Sequence, residues 1–150
     1  MTPPVTPPSI PTARKARSNR QSILIRELHL DTFGHMNNAV YLQLFEQARW
    51  DIIEAGGYGI TKIQETGLGP VIVEVSVRFM REIRLRESID ILSEPEDWSG
   101  GKIMRMKQSM INAAGEECCV ANFVFGLFDL KRRKMVTPTA EWLEAVGYQS

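Results

Sequence analysis

Apolar residues recur along residues 41–55 at steps of four, three, four and three: Tyr41, Phe45, Ala48, Ile52 and Ala55. That spacing predicts a helix with one buried stripe. Asn37 or Asn38 is a suitable N-cap, and Gly56-Gly57 a stop, for a helix of about 18 residues. Leu42, Leu44, Trp50 and Ile53 carry apolar surface well beyond the stripe. A helix so broadly apolar is expected to be wrapped by a sheet. Past a link containing Gly67, Gly69 and Pro70 the period changes to two. Val71, Val73, Val75, Val77 and Phe79 alternate with polar residues that include Glu74, Ser76 and Arg78, which predicts a half-buried strand. Further strands are expected over 88–94, ended by Pro95; over 102–112, with Met104, Met106 and Met110 on one side; and over 116–130. The last is apolar on both faces and belongs in the middle of a sheet. A strand over 22–30 precedes the helix, and a short helix near 139–146 closes the chain. Strand, long helix and four strands in meander make an α+β layer, one helix on one antiparallel sheet. Such a sheet keeps an uncovered edge, which self-association would cover.

Composition narrows this to one folded domain. At 150 residues, 43% hydrophobic and 24% charged, the chain is an ordinary globular one. No apolar run approaches the roughly 18 residues of a membrane span, and the N-terminus lacks the apolar core of a secretory signal. Residues 1–20 hold five of the eight prolines and carry Arg14, Lys15, Arg17 and Arg20 with no acid. They are expected to be a disordered, Pro-rich basic arm, with residues 21–150 as the domain. That domain holds 14 basic and 18 acidic residues, so nothing in its charge calls for nucleic acid. Cys118 and Cys119 are adjacent, point to opposite faces of a strand and do not suggest a disulfide. A reducing, cytoplasmic location is expected.

The chemistry concentrates before the helix, where Asp31, Gly34, His35, Asn37 and Asn38 fall within eight residues. Unpaired N–H groups at a helix start, with the helix dipole behind them, suit an oxyanion. A nearby carboxylate can take a proton from water or attack a carbonyl itself, and Gly34 allows close approach of backbone and ligand. Plainer roles compete: Asp31 as a turn residue, Asn37 and Asn38 as caps, His35 as a hydrogen-bonded turn histidine, Glu46 and Arg49 as a structural pair. His29, Asp31 and His35 have no further His or Cys cluster to complete a metal site, so no metal or cofactor is expected.

The run His29–Trp50, HLDTFGHMNNAVYLQLFEQARW, resembles the signature of hotdog-fold acyl-CoA thioesterases of the 4-hydroxybenzoyl-CoA thioesterase superfamily, in particular the long-chain acyl-CoA thioesterase branch. The resemblance implies an antiparallel sheet wrapped around a long central helix. It implies Asp31 as the catalytic carboxylate, the Asn38 backbone N–H as the group polarising the thioester carbonyl, and a site shared between two subunits of a homodimer or homotetramer. On this reading Gly34, His35, Asn37, Tyr41, Gly69, Arg78 and Arg81 are candidate substrate-binding residues, the two arginines because coenzyme A carries phosphates. The expected activity is hydrolysis of acyl-CoA to free acid and coenzyme A. The alternatives are a non-catalytic acyl-thioester binding protein and a hotdog enoyl-thioester hydratase. Two positions depart from the family pattern. Arg86-Glu87 stands where many members carry Gly-Asp, and Glu27 where some carry tyrosine.

Overall fold

The computed structural model describes Thr2 and residues 14–149. Its elements are β1 (Asn19–Leu24), α1 (Asn38–Ala55), α2 (Ile60–Thr66), β2 (Leu68–Phe79), β3 (Ser88–Pro95), β4 (Met104–Ile111), β5 (Glu117–Asp129), β6 (Lys134–Val136) and α3 (Ala140–Val146). All strands join one antiparallel sheet in the order β1-β3-β4-β5-β2, with β6 added on β5. The four later strands are therefore not a simple meander. β3, β4 and β5 are, but β2 crosses to the far edge beside β5, and β1 takes the place next to β3. β5, apolar on both faces, lies between β4 and β2 as its composition requires.

α1 begins where expected. The Asn37 side chain accepts the Ala39 N–H at 2.8 Å, and Gly56 caps the other end. Tyr41, Phe45 and Ala48 are buried in one core cluster with Ile89, Ile91, Met110, Ala121 and Phe123. Phe45 meets Phe123 edge to face, centroids 6.2 Å apart. Beyond Ala48 the stripe departs from expectation: Ile53 is buried, Ile52 only half-buried and Ala55 exposed. Steps averaging 3.5 residues drift against the helix's 3.6, so the buried line rotates by about 20° per seven residues. A second cluster gathers Ile53, Tyr58, Ile63, Met104, Met106, Phe125, Leu127 and the α3 residues Trp142, Leu143, Ala145 and Val146.

β2 breaks its own alternation. Ile72 pairs with Phe125 and Glu74 with Val124, which leaves Val73 as a bulge. Pro70, Ile72, Val75, Val77 and Phe79 then share the α1 side with Leu127, Phe125, Phe123, Ala121 and Cys119, while Val71, opposite Gly126, lies on the other side. The single-face reading of Val71–Phe79 fails there, because one extra residue inverts the pleat.

The first strand is shorter and earlier than residues 22–30, and Glu27–His29 forms a 3-10 turn. The domain also starts before residue 21. Arg14 bridges to Trp98, Ala16 to Tyr148, and β1 opens at Asn19. The remainder of the expected arm, residues 1 and 3–13, lies outside the described residues. α2 and β6 had no clear periodic signal.

Candidate active site

The loop entering α1 is shaped by backbone pairing. Leu30 bridges Met36, the Asp31 N–H donates to the His35 carbonyl at 2.8 Å, and the Gly34 N–H returns to the Asp31 carbonyl at 3.2 Å. Gly34 takes φ +79°, a conformation that only glycine adopts freely, and the space around its Cα is open. Asp31 serves this loop through one oxygen. Its Oδ1 accepts the Phe33 N–H at 2.9 Å and the His35 N–H at 3.3 Å. Among the described residues nothing donates to its Oδ2. Asp31 therefore fills the turn role with one oxygen and leaves the other unengaged.

At the helix start, Asn37 neutralises one orphan donor by its cap. Asn38 is the first helical residue, and its N–H has no hydrogen-bond partner among the described residues. The first turn of α1 contains no acidic residue. The positive end of the dipole is thus left uncompensated beside a half-buried carboxylate. Phe33, 84% exposed, and Leu28, 76% exposed, flank this loop.

The other candidates divide. His35 pairs with Glu82 through Nδ1, which ties the loop to the turn between β2 and β3. Tyr41 is a core residue: it meets Phe79 edge to face at 5.0 Å, and burial pushes its phenol up to about 12. Gly69 is a close-approach glycine, but what approaches is α2; a Cβ there would lie 3.2 Å from Ile63 Cγ2. Arg78, opposite Val120, lies on the sheet face turned away from α1. Arg81 is held by Glu116 at 2.8 Å. None of these three makes a hydrogen bond or ion pair with Asp31 among the described residues. The two departures from the family pattern, by contrast, meet each other. Arg86 occupies φ +65°, and its guanidinium pairs with Glu27 at 2.7 Å. The pair is exposed and contributes little stability.

The expected Glu46–Arg49 pair is replaced by a partner remote in sequence. Arg49 Nη1 donates to Gln108 Oε1 at 2.8 Å, with its guanidinium 4.2 Å over the Phe123 ring. Gln108, fully buried, donates in turn to the Phe45 carbonyl and Ser93 Oγ. Burial lowers the Arg49 pKa to about 10, and Glu46 opposes that shift. Nearby, Trp50, Ile52, Ile53, Pro70, Ile72, Met106, Phe125, Trp142 and Val146 line an apolar cleft with Glu46 and Arg49 at its side. Residues of α1, β2, β4, β5 and α3, distant in sequence, come together to create it.

Residues 25–146 match the family model described as the thioesterase-like superfamily. The chain belongs to this superfamily. As a member it is a thioester hydrolase with the hotdog fold, an antiparallel sheet wrapped around a central helix. The Escherichia coli (strain K12) long-chain acyl-CoA thioesterase FadM is 27% identical over 122 residues, covering 81% of this chain and 92% of FadM. The crystal structure of YbaW, a probable thioesterase from Escherichia coli, superposes with a TM-score of 0.72 at 27% identity, covering 84% of this chain and 94% of YbaW. At 11% identity, the Staphylococcus aureus hypothetical protein SAV2348, solved in complex with CoA, shares the fold with a TM-score of 0.80 over 90% of this chain and 85% of its own.

Proposed function

We propose that this thioesterase hydrolyses acyl-CoA to the free acid and coenzyme A. Asp31 Oδ2 takes the proton from the attacking water, and the Asn38 N–H with the α1 dipole holds the oxyanion that forms on the thioester carbonyl. The observation that carries this reading is the pairing of an unengaged carboxylate oxygen with an uncompensated helix N-terminus across one short loop. The kinship with FadM supports the substrate class. Collapse of the intermediate expels the coenzyme A thiolate, so free thiol is the product to follow. Across a panel of acyl-CoA esters, thiol should appear in step with substrate loss. Consumption of enoyl-CoA without thiol would instead identify a hydratase, and saturable binding without turnover a binding protein.

The site is completed, on this reading, by a second copy. The outer edge of β2 pairs with no strand among the described residues. On its α1 side Ile72, Val75 and Phe79 remain 40%, 39% and 51% exposed. Two copies joined along β2 continue the sheet and set the two α1 helices side by side. The stretch Gly69–Val75 of one copy then faces Asp31 of the other. Sedimentation is expected to give two or four times 17.0 kDa; a fully active monomer would overturn the arrangement.

A further inference from the structure

We propose that the turn between β5 and β6 docks the protein on an anionic bilayer surface, its four cations against phosphate-bearing headgroups and Leu130 beside them. Lys131, Arg132, Arg133 and Lys134 form an unbroken basic run, and all four are exposed. The turn that carries them is fixed from within. Asp129 Oδ1 accepts the Lys131 and Arg132 N–H groups at 3.0 Å each, and the Arg133 N–H closes on the Asp129 carbonyl at 2.8 Å. Arg132 keeps a 3.9 Å contact to the same carboxylate. Lys131, Arg133 and Lys134 pair with no acid among the described residues. Arg133 sits at φ +57°, a left-handed conformation that glycine or asparagine adopts at lower cost. Its guanidinium lies over the Phe128 ring, 5.1 Å from the centroid. The chain thus keeps a cation where the turn geometry favours a residue without one.

What the turn presents identifies the partner. The rest of the chain holds 14 basic and 18 acidic residues, so the run is a local excess of positive charge on a net negative body. A long polyanion would run on past the turn and meet that body. A flat surface meets the tip alone, because fields fade over about 8 Å at physiological salt. Apolar side chains are exposed beside the cations. Leu130 is 45% exposed, and the connection from β3 to β4 adds Lys102 and Ile103, the latter 43% exposed. That connection packs on β5: a Cβ on Gly126 would lie 2.8 Å from the Lys102 carbonyl oxygen. Cations interleaved with apolar side chains suit a headgroup layer, which takes up both. Each Lys or Arg at an anionic leaflet strengthens partitioning about fivefold, so four together supply on the order of several hundredfold, a reversible attachment. Docking leaves the Asp31 loop of the same chain clear. Cys119 pairs with Phe79 beside the helix start, whereas Asp129 ends the strand about 33 Å away.

The test is sedimentation of the full-length protein with phosphatidylcholine vesicles, with and without phosphatidylserine. Binding should require phosphatidylserine and weaken steeply with added salt. Lys131→Gln, Arg132→Gln and Lys134→Gln combined should cut the partition coefficient about 100-fold at unchanged Tm. Arg14→Gln, Lys15→Gln and Arg17→Gln combined remove the same charge elsewhere and should change it less than about threefold. Arg132→Lys with Arg133→Lys keeps the charge and should keep the binding, which reads the turn even if the first triple variant folds poorly. Leu130→Ser should weaken binding several-fold at constant charge, through lost apolar contact alone. Absence of binding by the wild-type chain, equal binding without phosphatidylserine, or equal losses in the two triple variants would overturn the proposal. Loss of binding in the lysine pair would overturn it too, because a headgroup layer reads charge and not guanidinium geometry. Duplex DNA bound through the turn, with Leu130→Ser unchanged, would give the turn to nucleic acid instead.

Discussion

Asp31→Asn should lower kcat for acyl-CoA hydrolysis by about 10²–10⁴-fold, the usual consequence of losing a general base, while leaving the fold intact. The two expectations separate because the two oxygens of Asp31 have different work. Oδ1 accepts the Phe33 and His35 N–H groups and holds the loop. An asparagine presents the same carbonyl oxygen at the same place, so the turn survives. Oδ2 is replaced by an amide nitrogen, which cannot take a proton. Asp31→Ala removes both roles. It should lose a similar factor in rate and in addition about 1 kcal/mol of stability, since two backbone donors lose their acceptor. Thiol-release kinetics beside denaturant melts of the three proteins would check this. An Asp31→Asn enzyme that keeps more than half of wild-type turnover would end the role assigned to Asp31.

Gln108→Leu is expected to destabilise the fold by about 3 kcal/mol, or about 10 °C in Tm for a chain of this size. Gln108 is fully buried and is the only side-chain acceptor that the Arg49 guanidinium finds among the described residues. A leucine fills the volume but leaves a half-buried cation with the Phe123 ring alone. The penalty then comes from the stranded partner more than from the lost bond. Removing that partner as well should relieve it: Arg49→Met with Gln108→Leu is expected to recover more than half of the loss. Urea melts on the four proteins of this cycle measure the coupling. A double variant as unstable as the sum of the singles would show that Arg49 and Gln108 act independently.

The long helix was legible because its apolar spacing, its asparagine cap and its glycine stop all agree, and local rules suffice when every level points the same way. β3, β4, β5 and α3 were legible for the same reason. The loop entering α1 could be read as a cluster because its residues are neighbours in the chain, and because the run His29–Trp50 resembles a family signature. The bulge at Val73 was not legible. An alternating run of valines looks the same with or without an extra residue, and only the register against β5 reveals it. Gly69 illustrates a subtler limit. The family resemblance marked it as a candidate substrate-binding residue, but could not show that Ile63 of α2 lies against it.

The sequence by itself determined the elements with strong periodicity, the α+β class and the position of Asp31 before a helix start, since each depends on residues a few places apart. Only the tertiary structure decided the strand order that sends β2 to the far edge, the Arg49–Gln108 pair and the cleft that α1, the sheet and α3 line. These join residues tens of positions apart, and local propensity says nothing about which distant surfaces meet. That is settled by which arrangement of the whole chain buries the apolar faces and leaves the fewest polar groups without partners.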